Sequence, residues 1–264
     1  MGTILDDFKL NGKVVLVTGG SDGIGKELAL ALGQAGAHIC INGREPKKLE
    51  AAKEQLKSSG IEVTTACFDV SDVEQVKLGV KGLIDKIGNI DILINSAGII
   101  KRIPLLEMDI EDFRQVLDVN LSAAFLVSKT VVPSMIQRGG GKIINICSLM
   151  SEYGRHSVSA YAASKGGLKM LTKNMCVEWA KHNIQVNGIG PGYIKTAKTK
   201  TLAADGHPFN DLIMTRTPAK RWGEVKDLCG LGVLLASKAG SFINGQIIYV
   251  DGGITSNFGY IKGE

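Results

Sequence analysis

The sequence predicts a single-domain α/β chain: one doubly wound parallel sheet with helices on both faces. Seven short apolar runs, residues 14–17, 39–41, 63–70, 90–94, 143–147, 186–189 and 247–250, recur along 264 residues with helix-compatible stretches between them. The runs are continuous rather than alternating, as in strands buried on both sides. No Pro- or Ser-rich linker interrupts them, so residues 1–264 read as one domain.

The first run feeds Thr18-Gly19-Gly20-Ser21-Asp22-Gly23-Ile24-Gly25, after which Ile24, Leu28 and Leu32 fall on one helical face with Ala31 and Ala35 beside them. Gly36 is the expected stop. A strand that runs through glycines into a helix aims unpaired N–H groups and a positive dipole end at one point, which suits a pyrophosphate. Gly19 permits the turn, Gly23 lets backbone approach the phosphates, and Gly25 allows close packing of the helix. Ser21, Asp22 and Ile24 complete this turn as cofactor-binding candidates.

The second run ends Ile41-Asn42-Gly43-Arg44, without the acid that would take the ribose 2′-hydroxyl of NAD. Arg44, with Lys47 and Lys48 behind it, favours the 2′-phosphate of NADP. Glu45, within reach of a ribose, and Asp22 in the glycine turn keep NAD open as the alternative.

Beyond the fourth run, Arg102 is placed to project over the same crevice and pair with the carboxylate of a small acid. Ser148 follows the fifth run. Tyr161 and Lys165, four residues apart in a helix-compatible stretch, share a face. Hydroxyl, phenol and ammonium thus converge at the carboxyl edge of the sheet, where a base and a polariser are needed to remove hydride from an alcohol carbon. A phenol with a pKa near ~10 needs help to ionise, and Lys165 is expected to provide it. After the sixth run, residues 193–223 form the least regular stretch and read as a substrate lid. Thr215, Arg216 and Lys220 suggest that this lid is polar, ill suited to a long acyl chain. The seventh run, at the sheet edge, predicts self-association.

Composition narrows the function classes. The net charge of +5 is carried by clusters without interleaved aromatics, which disfavours nucleic acid. No uncharged apolar stretch of ~18 residues suggests a membrane partner, and the charged N-terminus lacks a signal-peptide pattern. Five cysteines without C-x-x-C spacing suit reduced thiols and a cytoplasmic location. The four histidines show no ligand spacing, Glu107 reads as a solvated helix-start acid, and no metal is expected.

In order along the chain, residues 18–25, Asn95-Ser96-Ala97-Gly98, Ser148, and Tyr161 with Lys165 resemble the T-G-x-x-x-G-I-G turn, the N-N-A-G segment, and the S and Y-x-x-x-K of the short-chain dehydrogenase/reductase family. The likeness spans nearly the whole chain, with Ser96 departing from the second Asn. It implies a Rossmann-like fold, NADP or NAD as cofactor, and a catalytic set of Ser148, Tyr161, Lys165 and Asn120, the last holding a water for proton relay. It also assigns Asp69 and Val70 to the adenine edge. Asn95, Ala97, Gly98, Tyr161 and Lys165 join the cofactor contacts, with Pro191, Gly192, Ile194 and Thr196 at the nicotinamide carboxamide. Residues 99–108, His207-Pro208-Phe209, 217–223 and 249–253 are similar to the gluconate 5-dehydrogenases of that family, apart from Lys220. That implies reversible oxidation of D-gluconate to 5-keto-D-gluconate, with Arg102, Ser148 and Tyr161 on a sugar-acid substrate, in a homotetramer. Other sugar-acid or polyol dehydrogenases, 3-oxoacyl thioester reductases and a non-catalytic NADP-binding sensor are the alternatives.

Overall fold

A computed structural model describes residues 2–257. The sheet strands are β1 (Val14–Thr18), β2 (His38–Gly43), β3 (Val63–Cys67), β4 (Ile92–Asn95), β5 (Gly141–Ile146), β6 (Ile184–Pro191) and β9 (Ile247–Val250). Two short strands, β7 (Ile194–Lys195) and β8 (Gly223–Glu224), pair with each other outside it. The helices are α1 (Gly23–Gln34), α2 (Pro46–Lys57), α3 (Val73–Ile87), α4 (Ile110–Leu117), α5 (Ala123–Gln137), α6 (Ser159–Trp179), α7 (Pro208–Arg216) and α8 (Cys229–Ala236).

All seven strands run parallel in the order β3-β2-β1-β4-β5-β6-β9. Side-chain alternation divides their apolar residues between two layers. Val15, Val17, Ile39, Ile41, Ile92 and Ile94 pack with Leu28 and Leu32 of α1, Leu49 and Leu56 of α2 and Leu235 of α8. Leu16, Cys40, Leu93, Ile143 and Val186 meet Val76 and Val80 of α3, Val127, Val131 and Met135 of α5, and Met175 of α6. Sandwiching between helices is what makes the strand runs apolar on both faces, and truncating a fully buried leucine such as Leu32 to Ala would cost about 2–5 kcal/mol.

Local signals set the boundaries. Gly36 ends the turn after α1 at a φ of 107°, where a Cβ would stand 2.0 Å from Asn11 Oδ1. The Asp72 carboxylate accepts the Glu74 and Gln75 N–H groups to start α3, and Pro46 opens α2. The third apolar run leaves the sheet at Cys67, so Asp69 and Val70 lie beyond its carboxyl end. Helices α4 and α5 join through a π-turn, Asp118–Ser122. The resulting run Ile110–Gln137 is long and apolar enough to cross a membrane by length and composition, yet its Val127, Val131 and Met135 are fully buried within this fold.

Candidate active site

The order in which strands are laid down reverses between β1 and β4, which lie side by side in the sheet, and a crevice opens at the carboxyl ends of the strands there. It has a volume of about 640 Å³ and takes its walls from the glycine turn, the ends of β2, β4, β5 and β6, and the 193–223 segment. Thr18, the last residue of β1, holds the switch point. Its hydroxyl accepts the N–H groups of Ser96 and Ala97 at 3.1 and 3.2 Å.

Two tight contacts shape the glycine turn. A Cβ on Gly19 would sit 2.9 Å from Ala97 Cα, and one on Gly25 would sit 2.4 Å from the Gly19 carbonyl oxygen. At Gly23, by contrast, φ is 54° and nothing lies within 4 Å of the Cβ position. The side of the turn facing the crevice is thus open backbone at a helix N-terminus, and it fits a dinucleotide pyrophosphate. Asp22 is the N-cap: its carboxylate accepts the Gly23 N–H at 2.7 Å.

Arg44, Lys48, Asp69 and Val70 line the adenosine end, whereas Lys47 does not reach the wall. The cations arrive paired. Arg44 bonds Asp69 at 3.2 Å and Lys48 bonds Glu45 at 2.7 Å. Although burial opposes it, hydrogen bonds from Ser71 and the Arg44 guanidinium leave the Asp69 carboxyl below its usual range.

At the other end, Ser148, Tyr161, Lys165, Pro191, Gly192, Ile194 and Thr196 all line the crevice with Ala97, Gly98 and Arg102. Ser148 begins a short turn after β5, and its hydroxyl accepts the Met150 N–H at 3.1 Å. Lys165 is buried, with Nζ donating to the Ile146 carbonyl at 2.6 Å. Burial lowers this ammonium to about 8. Burial also holds the Tyr161 phenol above its ordinary value, against a hydrogen bond with Ser148 and the Arg155 and Arg102 guanidiniums. Lys165 stands one helical turn along α6 from that phenol. Its Nζ is drawn to the strand carbonyl and lies 5.8 Å from the ring centroid, over the face of Tyr161. The Arg155 and Arg102 guanidiniums also favour the phenolate.

Asn120 sits in the π-turn, which explains a polar residue within a helical run. Its Oδ1 accepts the Ile99 N–H at 2.8 Å, while Nδ2 donates to the Ile99 carbonyl at 2.9 Å and to Ser164 Oγ at 3.1 Å. It thus ties the loop after β4 to α6.

Asn95 lies beneath the crevice rather than in its wall. It is 5% exposed, and its Nδ2 donates to Asn145 Oδ1 at 2.8 Å and to Ser128 Oγ at 3.0 Å. Asn145 in turn donates to Thr172 Oγ1 at 2.9 Å. Asn95 and Asn145 are opposite one another in the register, so Asn95 braces β4 against β5 and α5, and Asn145 carries the connection on to α6.

The 193–223 segment covers the substrate end but presents a different face from the one expected. Thr215, Arg216 and Lys220 are exposed, and the segment's share of the crevice wall is mixed: Thr196, Lys198 and Thr199 stand beside Tyr193, Leu202, Phe209 and Trp222. The three rings pack edge to face with centroids 5.4 to 6.2 Å apart. The three polar residues read from the sequence lie on the outer side of the segment, at the end of α7 and in the turn after it. Arg155, in the loop between Ser148 and α6, also lines the crevice. Its signal in the sequence was a cation after Gly154, between Ser148 and Tyr161.

Fold and crevice together define a dinucleotide-dependent oxidoreductase site. The short chain dehydrogenase family pattern matches residues 13–206, and the chain belongs to that family. It is 52% identical, over 98% of its own length and 99% of the relative's, to a 2-dehydro-3-deoxy-D-gluconate 5-dehydrogenase of Formosa agariphila. A 5-keto-D-gluconate 5-reductase of Escherichia coli K12 is 47% identical over 94% of this chain and 98% of its own. A gluconate 5-dehydrogenase of Burkholderia cenocepacia, solved with NADP and tartrate, superposes with a TM-score of 0.93 at 44% identity, covering 97% of this chain and 100% of that one. The protein is accordingly an NAD(P)-dependent oxidoreductase acting on a CH–OH group.

Proposed function

We propose that the protein catalyses the reversible NADP-dependent oxidation of D-gluconate to 5-keto-D-gluconate, with Tyr161 exchanging the hydroxyl proton. The observation that carries this reading is the convergence of Tyr161, Ser148 and Lys165 on the crevice end that Arg102 overhangs. The nicotinamide supplies the hydride acceptor when bound. Ser148 hydrogen-bonds the reacting oxygen and Tyr161 takes its proton. Lys165 holds ribose hydroxyls, and Asn120 supports proton relay from the loop it pins. Arg102 fixes the carboxylate, which sets the reacting carbon relative to the phenol. Arg44 holds the 2′-phosphate, at the expense of its pairing with Asp69. The NADP held by the Burkholderia cenocepacia relative supports that choice.

A second reading places 2-dehydro-3-deoxy-D-gluconate in the same site, oxidised at the same carbon, and the 52% identical relative favours it. Both substrates are six-carbon sugar acids. The rings in the crevice wall weaken the polar-lid argument against thioester reduction, which stays as an outcome of the test. Five unpaired cysteines support a cytoplasmic enzyme, and exposed Phe125, Met170 and Val177 on α5 and α6, with β9 at the sheet edge, support self-association as a homotetramer.

The test is nicotinamide absorbance with both sugar acids, a neutral hexitol and a 3-oxoacyl thioester, each with NADP(H) and NAD(H). Turnover confined to the sugar acids, with 5-keto-D-gluconate as the product from gluconate, supports the reading. Turnover of the thioester alone overturns it.

A further inference from the structure

The Arg102 loop is fastened to a second cationic loop. The Ile103 N–H donates to the Ser157 carbonyl at 2.9 Å. Ser157 holds a φ of 63°, left-handed backbone that a serine rarely adopts. Arg155, two residues before it, is half-buried and lines the crevice with Arg102. Its guanidinium carbon lies 4.9 Å from the Phe209 ring centroid, stacked on the lid helix α7. Phe209 is itself fixed by the Tyr193 and Trp222 rings. Among the described residues, the arginines that form ion pairs are Arg44 and Arg221.

Arg102 and Arg155 thus face one crevice, and neither has a carboxylate partner among the described residues. A stacked guanidinium keeps its edge N–H groups free for an in-plane acceptor. Arginine offers donors and no acceptor, and a carboxylate offers acceptors and no donor. One carboxylate has enough lone pairs to receive both forks.

We propose that Arg155 is a specificity-determining residue that grips the substrate carboxylate together with Arg102 and, through Phe209, joins that contact to the lid. This rests on the sugar-acid reading above. The arrangement separates anionic from neutral substrates by charge, and it seats the lid when the anion is in place. The two arginines also bear on Tyr161, so the groups that recognise the substrate adjust the phenol.

The experiment compares kcat/KM for D-gluconate and for uncharged D-gluconamide in the parent, Arg155→Gln, Arg155→Lys and Phe209→Leu proteins. NADP binding is measured in each to establish that the variant is folded. The parent is expected to prefer the acid. Arg155→Gln is expected to lose about 10- to 100-fold on the acid, as for a charge-assisted hydrogen bond, and less than about threefold on the amide. Arg155→Lys keeps the charge and recovers part of the preference. Phe209→Leu, whatever it costs both substrates through the crevice wall, raises KM several-fold more for the acid than for the amide. If the parent prefers the acid and Arg155→Gln keeps that preference, the proposal is overturned while the sugar-acid reading stands. If the parent does not discriminate acid from amide, the sugar-acid reading itself falls. Should Arg155→Gln fail to bind NADP, the lysine and Phe209 variants decide, and an unchanged acid-to-amide ratio in both overturns the proposal.

Discussion

The hydroxyl of Ser151 donates to the Lys165 carbonyl at 2.9 Å and receives the Ser148 N–H at 3.3 Å. One side chain therefore sets the turn that carries Ser148 against the helix that carries Tyr161 and Lys165. Replacing Ser151 with Ala is expected to lower kcat about tenfold with little change in nucleotide affinity, because misplacing a reacting group is felt mainly in the transition state. Steady-state kinetics beside nucleotide titration checks this, and an unchanged kcat would show that the bridge has no bearing on turnover.

Tyr161→Phe removes a proton carrier and leaves the ring. The expected loss in kcat is about a hundred- to ten-thousandfold, with NADP affinity within a few-fold of the parent. Near-normal turnover would exclude the phenol as the acid/base group.

Arg44 bonds Asp69 at 3.2 Å, and the proposed pairing with a 2′-phosphate would replace that bond. Arg44→Ala should weaken NADP by about tenfold or more and leave NAD nearly unaffected. Asp69→Asn, which frees the guanidinium, should shift the ratio the other way. Titration of each variant with both nucleotides tests the pair, and an unaltered ratio in Arg44→Ala would remove the 2′-phosphate assignment.

Lys165 makes nucleotide-free stability depend on pH. Its folded value, about 8, lies below the ordinary 10.5, so between these values the unfolded chain binds more protons and this position's contribution to stability rises with pH. Below pH 8 the full cost of burying the cation remains. Lys165→Met escapes that cost, and its stability relative to the parent should fall by about 3 kcal/mol as pH rises from 7 to 10.5. Urea unfolding across a pH series measures the difference, and a pH-independent offset would mean that the ammonium is not buried as described.

Much of this arrangement is legible in the chain. The apolar runs give the parallel sheet because burial on both faces leaves a local mark, and the glycine turn is marked by its place between strand and helix. What escaped depends on distance across the fold. Whether Asn95 touches the crevice or the sheet interior turns on Ser128 and Asn145, far along the chain. The direction in which Lys165 points is set by the end of β5, not by the helical spacing that puts it beside Tyr161. The lid composition read as polar because its outward residues are charged, while the three inward rings are separated in sequence and meet only in space. Arg155 gains its significance from Phe209, an aromatic on another element.

The central claim is direct hydride transfer from C5 of a sugar acid seated beneath the arginines. D-gluconate deuterated at C5, incubated with the protein and NADP, should yield singly deuterated NADPH, detected by mass spectrometry, with the label absent when Tyr161→Phe replaces the parent. NADPH formed from that substrate without deuterium would contradict the account.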